Sequence, residues 1–226
     1  MGTVFIVDDA REVRDSLSRM LNAAGYRAQA FESAELFLQS RDAEVPGCLL
    51  LDICLPGLSG IELQRQLLDS PRALPIVFVT GRGDIQTSVN AMKAGAVDFL
   101  TKPFEAQQLF GAVNQALQRD AAQRLERELR DSIDARVKRL TPREREVMTA
   151  MIRGRLNKQI AAELGTGEKT VKVHRARVMA KMGVRSLPHL VALASRVKIA
   201  IEPVLHDSTA LHWKLKWQPV RGATPD

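Results

Sequence analysis

A doubly wound parallel α/β domain, then a long linker helix, then a small all-α domain is the fold that the sequence predicts. Three observations carry it. In residues 1–119, short apolar runs that end in acids, hydroxyls or Pro-Gly turns alternate with stretches of helical spacing. From Leu117, the residues Ala121, Leu125, Leu129, Ile133 and Val137 recur every four positions, with Leu140 three later, among charges of both signs. After Thr141, short helical segments are separated by Gly154, Gly165-Thr166-Gly167 and Gly183.

Length and composition agree with this division. A chain of 226 residues suits two modest domains, and a hydrophobic fraction of 45% is enough for real cores. The net charge of +7 hides an asymmetry. Residues 1–119 hold 11 Lys/Arg against 14 Asp/Glu (net −3), and residues 120–226 hold 22 against 12 (net +10). A basic second half suggests a polyanionic partner for that half alone. Cys48 and Cys54 flank one strand without metal-ligand spacing, as reduced thiols do in the cytoplasm. The four histidines show no zinc pattern. No apolar run reaches 18 residues and no secretory signal opens the chain, so a soluble cytoplasmic protein without membrane contact is expected.

The elements follow in order. Val4-Phe5-Ile6-Val7 reads as a first strand ending in Asp8-Asp9. Residues 11–24 have helical spacing at Val13, Leu17, Met20 and Leu21, closed by Gly25. Residues 26–31 read as a second strand. Ser33 opens a helix with Leu36 and Phe37 on its apolar side. Cys48-Leu49-Leu50-Leu51 is a buried parallel strand ending in Asp52, and a helix follows over 61–68, stopped by Ser70-Pro71. Ile76-Val77-Phe78-Val79 ends in Thr80. Asp84 caps a helix through Ala94, the strand 96–100 leads to Thr101-Lys102-Pro103, and a last helix starts near Glu105.

The long periodic segment reads as one helix, or two nearly joined, running to about Arg139. A coiled-coil arm, a signalling linker and a plain exposed spacer all fit it. Thr141-Pro142-Arg143-Glu144 then has a capping Thr, Pro in the first turn and Glu at the capping-box position. Helices are expected at about 142–153, 157–164, 168–182 and 187–197. The second and third, joined by a tight Gly-containing turn, form a helix-turn-helix candidate. In the tail, Leu211-His212-Trp213-Lys214-Leu215-Lys216-Trp217 alternates like a strand. An edge strand, a cationic aromatic contact and a loosely ordered extension fit it, and weak order is expected of a terminus.

Asp52 is the centre of the functional reading. Ligands of open parallel sheets bind outside the carboxyl ends of the strands, where Asp8, Asp9, Asp52, Thr80 and Lys102 all fall. Taken alone, Asp52 reads equally well as a cap or turn residue. Together, Asp8, Asp9 and Asp52 form a hard oxygen set suited to Mg²⁺, and a carboxylate held against that cation can attack a phosphoryl group. This constellation resembles the receiver domain of two-component response regulators, over roughly residues 1–119. The resemblance implies Asp52 as phosphoacceptor from a sensor histidine kinase. It implies Asp9 as a direct Mg²⁺ ligand, Asp8 completing the pocket and the Cys54 backbone carbonyl as a further ligand. Lys102 and Thr80 would contact phosphoryl oxygens, and Lys102-Pro103 resembles the family's cis peptide. Phe99 matches an aromatic switch that turns inward as Thr80 moves, remodelling a dimerisation face. The positions two after the phosphoacceptor and two after the threonine, here Cys54 and Arg82, are expected to set the lifetime of the phosphate.

Residues 168–185 carry six bases against one acid, more than an ordinary solvated helix face, and fit salt-dependent phosphate binding. Leu140-Thr141-Pro142-Arg143-Glu144, Asn157-Lys158-Gln159-Ile160-Ala161 and Thr170-Val171-Lys172-Val173-His174-Arg175 resemble the LuxR-type helix-turn-helix. His174 through Met182 with Ser186-Leu187-Pro188-His189-Leu190 is similar to the FixJ branch. The resemblance implies base contacts by Lys172, Val173 and Ala176, and phosphate contacts by Lys158, Thr170, Arg175 and Lys181. One departure is visible, because Thr166-Gly167 stands where relatives have an apolar residue and a Ser cap. The division expected is 1–119 receiver, 120–139 helical linker, 140–198 DNA-binding domain and 199–226 tail. The expected function is a phosphorylation-controlled transcription factor, an activator with repression left open, with promoter DNA, RNA polymerase and a second copy of itself as partners. A signalling adaptor acting through protein contacts is the alternative. An Mg²⁺-dependent phosphatase is disfavoured because no cleft-forming insertion follows the strands, so no enzyme is expected.

Overall fold

The computed structural model describes residues 2–68, 70, 72–81 and 85–196. Arg82, Asp84 and the tail with its alternating Trp213–Trp217 stretch lie outside the described residues. The chain divides between Leu125 and Glu126 into two compact units.

The first unit is a five-stranded parallel sheet. Its strands are β1 (Thr3–Val7), β2 (Arg27–Phe31), β3 (Gly47–Leu51), β4 (Ile76–Thr80) and β5 (Asp98–Thr101), in the order β2-β1-β3-β4-β5. Helices α1 (Arg11–Ala23), α2 (Ala34–Ser40), α3 (Gly60–Leu68) and α4 (Ile85–Lys93) connect them. Every residue of β1, β3 and β4 is buried, because helices cover both faces of the sheet. The period of two sorts their side chains. Phe5, Val7, Leu49, Leu51, Ile76 and Phe78 pack with Phe37, Leu63 and Leu67 on one face. Val4, Ile6, Cys48, Leu50, Val77 and Val79 pack with Leu17, Leu21, Leu109 and Val113 on the other. The order of the strands reverses between β1 and β3, the place where such sheets bind ligands.

Three expectations change locally. β2 begins at Arg27, because Tyr26 instead donates its hydroxyl to Asn114 and stacks on Phe110. β5 begins at Asp98, and Ala96 and Val97 are buried residues of the preceding turn. Leu36 is exposed, because the short α2 buries Ala34 and Phe37, one turn apart.

Helix α5 (Ala106–Lys138) is a single helix of 33 residues, and its apolar stripe is divided. Leu117 packs with the sheet, whereas Leu129, Ile133 and Val137 pack in the core of the second unit. Only the middle of the stripe is open, with Leu125 68% exposed. The first residues of the expected linker are tied to the sheet. The buried Asp120 carboxylate accepts the Gly47 N–H at 3.0 Å and the Arg124 Nε–H at 2.8 Å. Arg124 also donates to the carbonyls of Glu44 and Val45. A Cβ on Gly47 would collide with the Thr3 carbonyl, so this corner needs glycine. Burial, and then the charge of Asp120, push the neighbouring Cys48 thiol up to about 12.

In the second unit, α6 (Pro142–Ile152), α7 (Asn157–Glu163), α8 (Glu168–Met182) and α9 (Leu187–Arg196) enclose Val147, Met148, Met151, Ile160, Val171, Val178, Met182 and Leu190. The capping box forms as expected: Thr141 Oγ1 accepts the Glu144 N–H and the Glu144 carboxylate accepts the Thr141 N–H. Gly167 is the N-cap of α8 without a side-chain bond, and Gly183 closes that helix in the left-handed region at φ +66°. Lys181, expected at a phosphate, is ion-paired here: its ammonium lies 2.6 Å from the buried Glu144 carboxylate and 3.2 Å from the Arg139 carbonyl, so it binds α8 to the start of α6. A basic residue on a recognition helix cannot be assigned outward from sequence alone, because its acid lies 37 positions away. Among the described residues no helix is long and apolar enough to cross a membrane.

Removing the Asp120 carboxylate strands the Gly47 N–H and the Arg124 Nε–H in the interior. Asp120→Ala is expected to destabilise the sheet unit by about 3 kcal/mol, read by urea denaturation of the full chain. A loss below ~1 kcal/mol would mark the pair as incidental. A second prediction concerns Glu144. The Lys181 hydrogen bond first, then the Thr141 N–H, hold its carboxyl at about 2 instead of the ordinary 4.5. A depressed folded pKa gives stability that is present above pH 4.5 and is lost as the pH falls toward 2. Glu144→Gln should therefore flatten the pH dependence of stability of the helical unit across that window. Following α6 and α8 resonances by NMR during denaturation checks this, and an unchanged slope would refute it.

Candidate functional site

Hydrogen bonding along β1 and β3 brings three carboxylates together. Val7 pairs with Leu51, so the next residue of each strand, Asp8 and Asp52, emerges at the same edge. Asp8 is 2% exposed and Asp52 8%, and Asp9 is exposed. One carboxylate oxygen from each lies within 4.8 Å of the other two. A Cβ on Gly60 would collide with the Asp52 carbonyl, so only glycine lets α3 begin against the acid.

Lys102 reaches this cluster from the end of β5. Its Nζ is 2.6 Å from Asp8 Oδ2 and 3.8 Å from Asp52 Oδ2. The Lys102-Pro103 peptide is cis. Asp8 Oδ1 accepts the Ala10 N–H at 3.0 Å, and Asp52 Oδ1 accepts the Cys54 N–H at 3.4 Å. One ammonium among three carboxylates leaves an excess of negative charge, and every donor offered is a hard oxygen, which fits a divalent cation such as Mg²⁺. Thr80, at the end of β4, is 1% exposed, and its carbonyl accepts the Lys102 N–H at 2.8 Å. Phe99, paired with Phe78 in the β4–β5 ladder, is half-buried, its ring centroid 6.3 Å from that of Phe78. Cys54 is exposed beside the cluster.

Two residues of this neighbourhood have no short-range signal in the sequence. Glu35 of α2 accepts the Leu58 N–H at 3.0 Å and so ties down the loop after Asp52, from 23 positions away. Arg14 of α1 donates to the carbonyls of Asp8 and Asp9.

The helical unit presents a basic face. Lys169, Thr170, Lys172, Val173, Ala176 and Arg177 of α8 are exposed, as is Lys158 of α7, and Arg175 is half-buried. Lys172, Val173 and Ala176 share one side of the helix by the i, i+1, i+4 spacing, opposite the buried Val171, Val178 and Met182. Val173 is 46% exposed, an apolar side chain set among charges.

The comparisons with known proteins agree with both halves. Residues 4–114 match the response regulator receiver domain family, and residues 138–194 match the luxR family of bacterial regulatory proteins. The response regulator protein TodT of Pseudomonas putida is 41% identical over 201 residues, 89% of this chain and 88% of its own. The transcriptional regulatory protein FixJ of Rhizobium meliloti is 44% identical over 192 residues, 85% of this chain and 94% of its own. Among solved structures, the response regulator StyR is similar at 50% identity and a TM-score of 0.77, over 86% of this chain and 98% of that one. Full-length FixJ from B. japonicum gives 40% identity and a TM-score of 0.53, over 87% and 97%. Joined to the acidic pocket at the strand ends and the basic helix-turn-helix, these matches show that the chain belongs to the FixJ-type two-component response regulators, phosphorylation-controlled DNA-binding regulators of transcription.

Proposed function

We propose that Asp52 accepts a phosphoryl group from a sensor histidine kinase and that the phosphorylated chain dimerises and activates transcription. In the transfer, a carboxylate oxygen of Asp52 attacks phosphorus, an O–P bond forms and the N–P bond to the kinase histidine breaks. Asp9, Asp52 and the Cys54 carbonyl would hold Mg²⁺, with Asp8 completing the pocket. When bound, the cation neutralises charge on the phosphoryl oxygens. Lys102 binds one phosphoryl oxygen and Thr80 donates its hydroxyl to another. The observation that carries this reading is the position of the Lys102 ammonium between Asp8 and Asp52 in a pocket of three acids.

The output follows the strand end. Movement of Thr80 lets Phe99 turn further inward and alters the face made by α4 and β5. Exposed Val89 and Met92 on α4 support that face as the dimer contact. Lys172, Val173 and Ala176 read bases, while Lys158, Thr170 and Arg175 hold phosphates. Two copies address half-sites a helical turn apart or a multiple of it, and RNA polymerase is the further partner. Residues 1–119 act as receiver, 120–139 as linker and 140–198 as DNA-binding domain. The chain works in the cytoplasm and turns over no substrate of its own.

Sedimentation of the full chain with Mg²⁺, with and without beryllium fluoride as phosphoryl mimic, tests the switch. Dimer is expected only with the mimic and only when Asp52 is intact, so Asp52→Ala should stay monomeric. An unchanged mass in every sample would remove dimerisation as the output. A second prediction concerns DNA. Lys158→Ala should weaken promoter binding evenly across sequences and lower the salt slope by about 1. Retention of DNA with no salt dependence would sink the assignment of the basic face.

A further inference from the structure

We propose that Arg14 is a positioning residue for the divalent cation, acting through the backbone of Asp8 and Asp9. The inference rests on reading the acidic pocket as a cation site. Arg14 lies on the first turns of α1, half-buried, and a single nitrogen, Nη1, donates to the Asp8 carbonyl and to the Asp9 carbonyl, both at 2.8 Å. These are consecutive carbonyls at the point where β1 turns into α1.

The two acids are held differently. The Asp8 carboxylate is fixed twice, by the Ala10 N–H and by Lys102. The Asp9 side chain is exposed, and among the described residues no hydrogen bond or ion pair orients its carboxylate. Its direction is therefore set by its backbone, and the bond from Arg14 holds that backbone. The helix has no side-chain N-cap of its own, since Ala10 occupies that position. Arg14 thus ties the two carbonyls of the strand-to-helix turn to the first turns of α1, and it fixes a prospective metal ligand by doing so. Groups that orient a ligand typically change metal affinity by about tenfold or more when removed.

The sign of the effect separates positioning from charge. A guanidinium beside a cation site repels the cation, so deleting it would tighten binding if charge alone mattered. Positioning predicts the opposite. The experiment titrates the full chain with Mn²⁺, a paramagnetic stand-in for Mg²⁺, and counts free Mn²⁺ by electron paramagnetic resonance. Circular dichroism of the same samples in chelator reports folding. Arg14→Ala is expected to bind Mn²⁺ about tenfold more weakly than the unaltered chain. Affinity that is equal or tighter would overturn the proposal, whatever happens to the melting temperature in chelator. Should Arg14→Ala fail to fold, Arg14→Met keeps the long apolar stem and removes both donors. Weaker Mn²⁺ binding by it supports the proposal, and unchanged binding overturns it. Asp9→Asn is the control for the underlying reading. If it binds Mn²⁺ as the unaltered chain does, the cation site itself is misplaced. If it loses Mn²⁺ while the Arg14 variants do not, the positioning role alone fails.

Discussion

Mutual repulsion of three carboxylates is the constraint around which the sheet unit is arranged. Two unit charges 4 Å apart differ by about 4 kcal/mol from no interaction at an effective dielectric of about 20. Asp8 and Asp52 are nearly buried, so water screens them little. The Lys102 ammonium offsets part of this, lying 2.6 Å from one and 3.8 Å from the other. The remaining negative charge is what gives the pocket its chemistry, since it draws a divalent cation and through it a phosphoryl group. The core beneath must hold that arrangement against its own repulsion. The fully buried β1, β3 and β4 do so by fixing where each acid leaves the sheet.

The helical unit handles charge in the opposite way. Among its described residues one acid is buried, Glu144, and its Oε2 accepts both the Thr141 N–H and the Lys181 ammonium. The other bases of α8 are exposed, Arg175 partly so, which leaves a mainly basic outer face on a helix whose inner face is Val171, Val178 and Met182. The same helix therefore packs, pairs and presents. Its inward and outward sides are separated by the 100° step between residues, not by any segregation along the chain.

Helix α5 shows how a regular pattern conceals more than one job. Its four-residue recurrence is uniform from Leu117 to Val137. In the structure the first part seals the sheet, the last part joins the core of the second unit, and Leu125 between them is open. A coiled-coil seam and two separate docking faces give the same spacing. Periodicity records which side of a helix is apolar and says nothing of what covers it.

The strands, the helices, the capping box at Thr141 and the constellation of Asp8, Asp9, Asp52, Thr80 and Lys102 at the strand ends were all legible in the sequence. Each depends on neighbours along the chain, on a period of two or 3.6, or on a motif of fixed spacing. What tertiary structure alone decided lies in contacts between distant positions. Arg124 closes on Glu44 and Val45, 80 and 79 residues away. Glu35 reaches Leu58, Lys181 pairs with Glu144, and Leu36 faces outward although its neighbours pack. A polar side chain takes whichever partner the fold brings within about 3 Å, and which one that is depends on the packing of whole elements, a property no local window of residues contains.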